Sequence, residues 1–310
     1  MKSKVLVTGG AGFIGNHLVQ DLVQSGYGVS ILDNLSTGKF DRIRPLVSNS
    51  SASFINGDIR DAETVRRAVL GIDSVVHLAA IKDIQFSIQN PSLTFEVNTL
   101  GTKNLIDACV NSGVRRFVFI STSAVYGNAR YLPIDECHPV NPLSVYADSK
   151  VGPEKWCISP ELSGKLETVV FRLFNVYGQG QDADGYSGVI SKFIDRLNAG
   201  KPPVIYGDGN QTRDFVNVRD AVKSIMLALE TERIRDRIFN IGSGSAVSIL
   251  ELAEILSKLV GKDCLGVVHE SPKSGEVLHS QASIERARDN LGFDPAIDLS
   301  GGLEELVKAA

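Results

Sequence analysis

Short runs of β-branched and aromatic residues recur along the first half of the chain: KVLV (4–7), VSIL (29–32), SFIN (53–56), SVVHL (74–78), RFVFI (116–120) and ETVVFRL (167–173). Between them lie stretches with apolar positions at helical spacing, as at 62–70 and 92–112. Strand patterns alternating with helix patterns predict repeated βα units and a parallel sheet. Right-handed crossovers make that sheet doubly wound, with ligand at the carboxyl ends of its strands.

After Leu173 the rhythm breaks into NVYGQGQDADGYSG, then a helical pattern near 188–199. RDFVNVRDAVKSIMLALE reads as a further strand and helix returning to the sheet, and RIFNIGSG as a strand ending in glycines. Helix-like patterns at 248–260 and 283–309 complete a smaller lobe. The expected fold is α/β: a Rossmann-type doubly wound parallel sheet with a smaller, interleaved α/β substrate-binding lobe. The first domain takes 1–173 with return segments at about 213–241, and the lobe takes 174–212 and 242–310.

At 310 residues, 43% of them apolar, the chain can bury a large core. A formal charge of −4 with scattered basic residues gives no nucleic-acid surface. The opening MKSKVLV runs directly into a strand, and no apolar run approaches the roughly 18 residues of a membrane span. The expectation is a cytoplasmic protein without a membrane partner. Cys109, Cys137, Cys157 and Cys264 are far apart and the five histidines are dispersed, so neither a disulfide framework nor a metal site is expected.

Two clusters carry candidate chemistry. In GGAGFIG the glycines at 9, 12 and 15 follow a strand and open a helix at Phe13 and Ile14, the punctuation of a dinucleotide-binding turn. A second strand ends at Asp33, eighteen residues after Gly15, where a carboxylate can accept both hydroxyls of an adenosine ribose. Its charge repels a 2′-phosphate and favours NAD over NADP, although Lys39 and Arg42 lie nearby as cations such a phosphate would need. Asp58 and Ile59 after the third strand, and Leu78, Ala79 and Ala80 after the fourth, are placed to line the adenine and ribose groove.

The second cluster is STSAVYG (121–127) followed by Tyr146 and Lys150 in YADSK. A helix over 142–152 puts the phenol and the ammonium on one face, where a positive charge favours phenolate. An acid/base poised near neutral pH beside a nucleotide cofactor suggests hydride chemistry.

GGAGFIG, DNLSTG, GDIRD, HLAA, STSAVYG, YADSK, FRLFNVYG, GDGNQTRDFV and NIGSG, in this order, resemble the extended short-chain dehydrogenase/reductases, specifically nucleotide-sugar 4-epimerases of the UDP-galactose 4-epimerase type. The likeness spans nearly the whole chain. It implies that Tyr146, as phenolate, removes the proton of the sugar 4-hydroxyl while C4 loses hydride to NAD. The 4-keto sugar then turns, and hydride returns to its other face. By the same resemblance Thr122 bonds the sugar oxygen and relays its proton, and Lys150 bridges the nicotinamide ribose and lowers the phenol pKa. Asn34, Ser36, Thr37 and Gly38 of DNLSTG join the cofactor site, as do Lys82 and Asn98, with Lys82 also near substrate. Asn175 and Arg213 are implied to hold the UDP-sugar diphosphate, Tyr206 the uracil, and Val189 and Glu276 further parts of the substrate.

Three departures stand out. Lys273 replaces an expected arginine, turning a bidentate phosphate clamp into a point charge and predicting weaker nucleotide binding. Pro153 inside the helix of Lys150 predicts a lost backbone donor and a kink. Ser280 stands where hexose-restricted epimerases carry a tyrosine, which leaves room for a 2-acetamido group and extends the expected substrates from UDP-glucose and UDP-galactose to their N-acetyl forms. A 4,6-dehydratase would need Asp and Glu where Ser123 and Ala124 stand, and a UDP-glucuronate decarboxylase a glutamate at Ala124. An epimerase of another nucleotide sugar and a non-catalytic NAD-binding regulator are the remaining alternatives. Family members commonly dimerise through helices corresponding to 92–112 and 142–163, so a homodimer is expected.

Overall fold

The computed structural model describes residues 2–181, 188–272 and 277–309. Its strands are β1 Lys4–Thr8, β2 Gly28–Asp33, β3 Ala52–Asn56, β4 Ser74–His77, β5 Arg116–Thr122, β6 Glu167–Leu173, β7 Asn175–Tyr177, β8 Val204–Tyr206, β9 Thr212–Asn217, β10 Ile238–Ile241, β11 Ala246–Ser248 and β12 Val268–Glu270. Its helices are α1 Phe13–Gln24, α2 Phe40–Ser48, α3 Ala62–Ala68, α4 Ile84–Gln89, α5 Pro91–Phe95, α6 Thr102–Ser112, α7 Val145–Cys157, α8 Val189–Asn198, α9 Val218–Glu230, α10 Ile249–Leu259, α11 Glu285–Leu291 and α12 Leu299–Ala309. No helix among these residues is long and apolar enough to cross a membrane.

Seven strands form one parallel sheet in the order β10-β6-β5-β4-β1-β2-β3. Alternate residues of each strand feed opposite cores, as a period of two requires. Val5, Val7, Val29, Ile31, Val118, Ile120, Val169 and Phe171 meet Leu18 and Leu22 of α1 and Val222 and Ile225 of α9. Leu6, Leu32, Val75, Phe117, Phe119 and Val170 meet Val65 of α3, Leu105 and Cys109 of α6, and Cys157 of α7. With helices on both faces, the strands are largely apolar, and strand order reverses between β1 and β4, where such sheets open a ligand crevice.

The smaller lobe is built on a three-stranded sheet, β11-β9-β7, and a two-stranded one, β12-β8. Phe193, Ile194 and Leu197 of α8 pack there with Phe215, Leu252, Leu256 and Leu303. The segment expected to return to the large sheet divides: α9 packs on that sheet and β10 joins it, but β9 stays in the small sheet. Its antiparallel pairing with β11 and parallel pairing with β7 occupy both edges of β9. The helical pattern of 283–309 also divides into α11 and α12, because Gly292 ends α11 at a φ of 67° and Pro295 cannot continue it.

Candidate active site

The chain leaves β1 through Gly9 at a φ of 72°. A Cβ there would stand 2.7 Å from the Ala79 nitrogen, so the turn presses against the end of β4. A Cβ on Gly15 would stand 2.2 Å from the Gly9 oxygen, which seats α1 directly on the turn. Gly12 is the N-cap of α1 and offers no side chain, and no acid sits in the first turn formed by Phe13 and Ile14. Those first amides are left facing an anion's position.

Asp33 closes the other side of this cradle. Its Oδ2 accepts from Ala11 N at 3.0 Å and its Oδ1 from Leu35 N at 2.8 Å, which leaves capacity for about two further donors such as ribose hydroxyls. A Cβ on Gly38 would approach that carboxylate to 2.9 Å, so glycine lets the 34–38 loop fold over it, with Ser36 and Thr37 exposed. Asn34 Nδ2 donates to Asp58 Oδ2 at 3.0 Å, joining the ends of β2 and β3. Hydrogen bonds from Arg60, chiefly from its side chain, hold the Asp58 carboxyl at about 2. Ile59 is buried beside them.

Leu78, Ala79 and Ala80 are half-buried beyond β4, and Leu78 N donates to Thr8 O at 3.1 Å. Asn98 is fully buried in a π-helical turn, Glu96–Gly101, between α5 and α6. Its amide bonds Ile81 N and Ile81 O at 2.8 Å each and Ser149 Oγ at 2.9 Å. Asn98 therefore stands behind the groove, bracing the loop that carries exposed Lys82 against α7. The cradle that a Cβ would fill, the uncapped helix start and the Asp33 carboxylate together fit a dinucleotide with an unphosphorylated ribose.

Ser144 caps α7, its Oγ accepting from Ala147 N at 3.1 Å, so Tyr146 lies in the first turn and Lys150 one turn on. Lys150 is 2% exposed. Its Nζ donates to Ile120 O at 3.1 Å and stands 4.9 Å from the Phe119 ring centre. Thr122 Oγ1 accepts from Ala124 N at 3.2 Å, and its hydroxyl lies beside the Tyr146 phenol, where it favours ionisation. The helix continues through Pro153 to Cys157. The Ser149 carbonyl, deprived of a donor at residue 153, accepts Thr99 Oγ1 at 2.8 Å instead.

The ionisation differs from the expectation of a phenol poised near neutrality. Burial pushes the Tyr146 phenol above its usual 10, and the Thr122 hydroxyl alone pulls it back. Lys150 is itself lowered to about 8 by burial, with Glu154 opposing. The ammonium is turned to the Ile120 carbonyl.

Among the residues expected to hold substrate, Asn175 pairs with Phe215 across β7 and β9, and its Nδ2 donates to Asp214 O at 3.1 Å. Arg213, two residues before Phe215 on β9, donates from Nη1 to Thr212 O at 2.9 Å and Leu278 O at 3.3 Å. Ser280 is buried in the segment that follows, tied to β9 by Thr212 N to Leu278 O at 3.0 Å and by Ala282 N to Asp214 Oδ2 at 3.0 Å. Strand β9 thus gathers Asn175, Arg213 and Ser280. Tyr206 is half-buried on β8, opposite Glu270 of β12, and Val189 opens α8. Lys273 and Glu276 lie outside the described residues.

One group beside the reacting pair was missed. Arg172 in β6 holds Glu154 of α7 through Nη2 at 2.6 Å and through Nε to both carboxylate oxygens at 3.1 Å. Ser121 Oγ also donates to Glu154, and Arg172 Nη1 donates to Tyr126 OH at 2.9 Å. The available signal was a charged residue inside the apolar run VVFRLF and a glutamate four residues after Lys150.

Comparison with known proteins gives one family and a consistent fold. The model of the NAD dependent epimerase/dehydratase family matches residues 5–242. A Methanocaldococcus jannaschii protein provisionally named UDP-glucose 4-epimerase is 41% identical over 306 residues, covering 98% of this chain and 97% of its own. A dTDP-glucose 4,6-dehydratase of Streptomyces griseus is 34% identical over 312 residues, covering 99% and 94%. Among solved structures, the UDP-N-acetylglucosamine 4-epimerase of Methanobrevibacter ruminantium, in complex with UDP-N-acetylmuramic acid, superposes with a TM-score of 0.92 at 34% identity, covering 99% of this chain and 97% of its own.

Proposed function

Because this chain belongs to the NAD dependent epimerase/dehydratase family, and so is an NAD-dependent enzyme of nucleotide-sugar modification, we propose that it inverts C4 of a UDP-hexose through a 4-keto sugar. The observation that carries this reading is the end of β5. Thr122 meets the Tyr146 phenol there, while the next two residues, Ser123 and Ala124, bring no carboxylate. Elimination of water needs an acid and a base beside the hydroxyl, and decarboxylation was expected to need a glutamate at Ala124. Proton transfer to and from one oxygen needs only a phenol and a relay.

NAD, when bound, supplies a hydride acceptor for C4, returns that hydride, and adds a positive charge that favours phenolate. The glycine turn holds the pyrophosphate, and Asp33 the adenosine ribose. Lys150 reaches the nicotinamide ribose with ammonium donors beyond the one given to Ile120. Thr122 donates to the Tyr146 oxygen when the phenol is ionised, so the proton leaving the sugar hydroxyl passes to a group already bonded. Asn175 and Arg213 take the diphosphate from β7 and β9, with Tyr206 on the uracil.

Ser280 leaves the sugar end wide, so we include UDP-N-acetylglucosamine and UDP-N-acetylgalactosamine among the substrates. The test is incubation with UDP-galactose and with UDP-N-acetylgalactosamine, with and without added NAD, the C4 epimers being resolved by proton NMR. Conversion of both is expected. Ser280→Tyr should abolish acetamido conversion and spare that of the hexose, and equal loss of both overturns the assignment of sugar width. No conversion of either overturns the UDP-hexose reading.

A homodimer fits the exposed apolar residues Phe86, Ile88, Phe95 and Leu100 on the stretch from α4 to the π-helical turn, with Leu143 and Ile158 at the two ends of α7. Light scattering at the monomer's 33.4 kDa would reject it.

A further inference from the structure

Three consecutive residues at the end of β5 hold three successive positions on one face of α7. The Thr122 hydroxyl meets Tyr146, the Ile120 carbonyl takes Lys150, and the Ser121 hydroxyl donates to Glu154. Tyr146, Lys150 and Glu154 follow one another at four-residue spacing, so they lie along one helical stripe. Ser121 shares the strand face of Phe117 and Phe119, the face that α7 covers, and its cross-strand partner is Arg172. Glu154, 3% exposed, is thus gripped from two neighbouring strands at once.

We propose that Glu154 is a positioning residue for the reacting pair: held by Ser121 and Arg172 from two strands, it fixes the rotation of α7 against β5 and so the place of Lys150 one turn before it. The idea rests on reading Tyr146 and Lys150 as that pair. The titratable and charged groups around the lysine come from every side: His77 from β4, Tyr146 and Glu154 from α7, and Arg172 from β6, with Tyr126 and Glu136 beyond Arg172. His77 does not supply the missing negative charge. Burial, and then the Lys150 charge, keep it well below its ordinary range, and its ring bridges Thr8 and Thr102 as neutral imidazole. Burial penalises the ammonium, and Glu154 is the group that opposes this. Arg172 in turn holds the carboxylate in place from the next strand.

The test reads the lysine itself, by NMR of the full chain labelled at lysine Cε, without substrate or NAD, with a Lys150→Arg spectrum to identify the resonance. In Glu154→Gln the Lys150 midpoint should fall by about one unit or more, as loss of an adjacent opposite charge implies. Glu154→Asp should recover part of the fall, and the alkaline limb of the turnover profile should move in the same direction. If Glu154→Gln leaves Arg172 unpaired and the protein does not fold, Glu154→Asp, which keeps the charge opposite Arg172 on a shorter side chain, is read instead, and a smaller fall of the Lys150 midpoint is expected. A Lys150 midpoint unchanged from wild type in a folded variant overturns the proposal, whatever the enzyme converts. A shifted lysine in a protein that converts no UDP-sugar sinks the reading of the reaction and leaves this one standing.

Discussion

The two halves of the cleft are made of different material. On the proposed cofactor side the site is built from backbone: Gly9 and Gly15 bring a turn, a strand end and a helix so close that a Cβ would stand within 2.7 Å of a backbone atom. On the proposed sugar side it would be built from side chains on short strands, Asn175 and Arg213, steadied by carbonyls of β9 and the 278 segment. A backbone site is rigid and tolerates nothing extra. A side-chain site can be retuned one residue at a time, and relatives named as epimerases and as dehydratases share this fold.

Between the halves sits the reacting pair, and its variants should separate chemistry from both kinds of binding. Tyr146→Phe is expected to cut C4 conversion by about 10²- to 10⁴-fold, with NAD and UDP-sugar dissociation constants changed only a few-fold by calorimetry. Gly15→Ala attacks the backbone half. A new atom 2.2 Å from the Gly9 oxygen should weaken NAD binding by roughly 100-fold, about 3 kcal/mol, with a lowered melting temperature. Relief by a small shift of α1, seen as unchanged NAD affinity, would show the cradle to be less rigid than its contacts imply.

Lys150 gives a pH signature of comparable size. Its folded value of about 8 lies below the 10.5 of a free lysine, so between these values the unfolded chain binds the extra proton. Stability should therefore rise as pH goes from 8 to 10.5, by up to about 3 kcal/mol, the cost of the buried ammonium being fully present below 8. Denaturant midpoints of wild type against Lys150→Met across that range check it, since the variant lacks this gain. The smallest effect belongs to the side-chain half. Arg213→Met should weaken UDP-sugar binding by about 2 kcal/mol, roughly 30-fold, and leave NAD binding unchanged.

The same contrast decides what could be read from the chain. Glycine at 9, 12 and 15 and the acid at 33 are legible because sterics and charge allow few alternatives there, and the six apolar runs are legible because strands covered on both faces have little freedom of composition. The sheet membership of β9 was not, because the six-residue strand TRDFVN has only Phe215 and Val216 as apolar positions and its partners, β7 and β11, are only three residues each. The place of Asn98 behind the groove depends on a π-helical turn without a pattern of its own. Spacing put Lys150 on the right face of α7, while the strand carbonyl that takes its ammonium belongs to backbone and left no mark in the sequence. Glu154 and Arg172 are eighteen residues apart in sequence, and only the fold makes them neighbours.

The chain's path between the two bodies limits how the protein can be cut and recombined. From β9 in the small sheet it passes to α9 and β10 on the large one, then at once to β11 beside β9 again. A single truncation after β6 would strip the large sheet of its edge strand and of the helix that covers Val169 and Phe171, leaving a sticky apolar face. Grafting a different sugar pocket from a relative would therefore need two inserts, one on either side of the 218–241 segment, joined in the same operation.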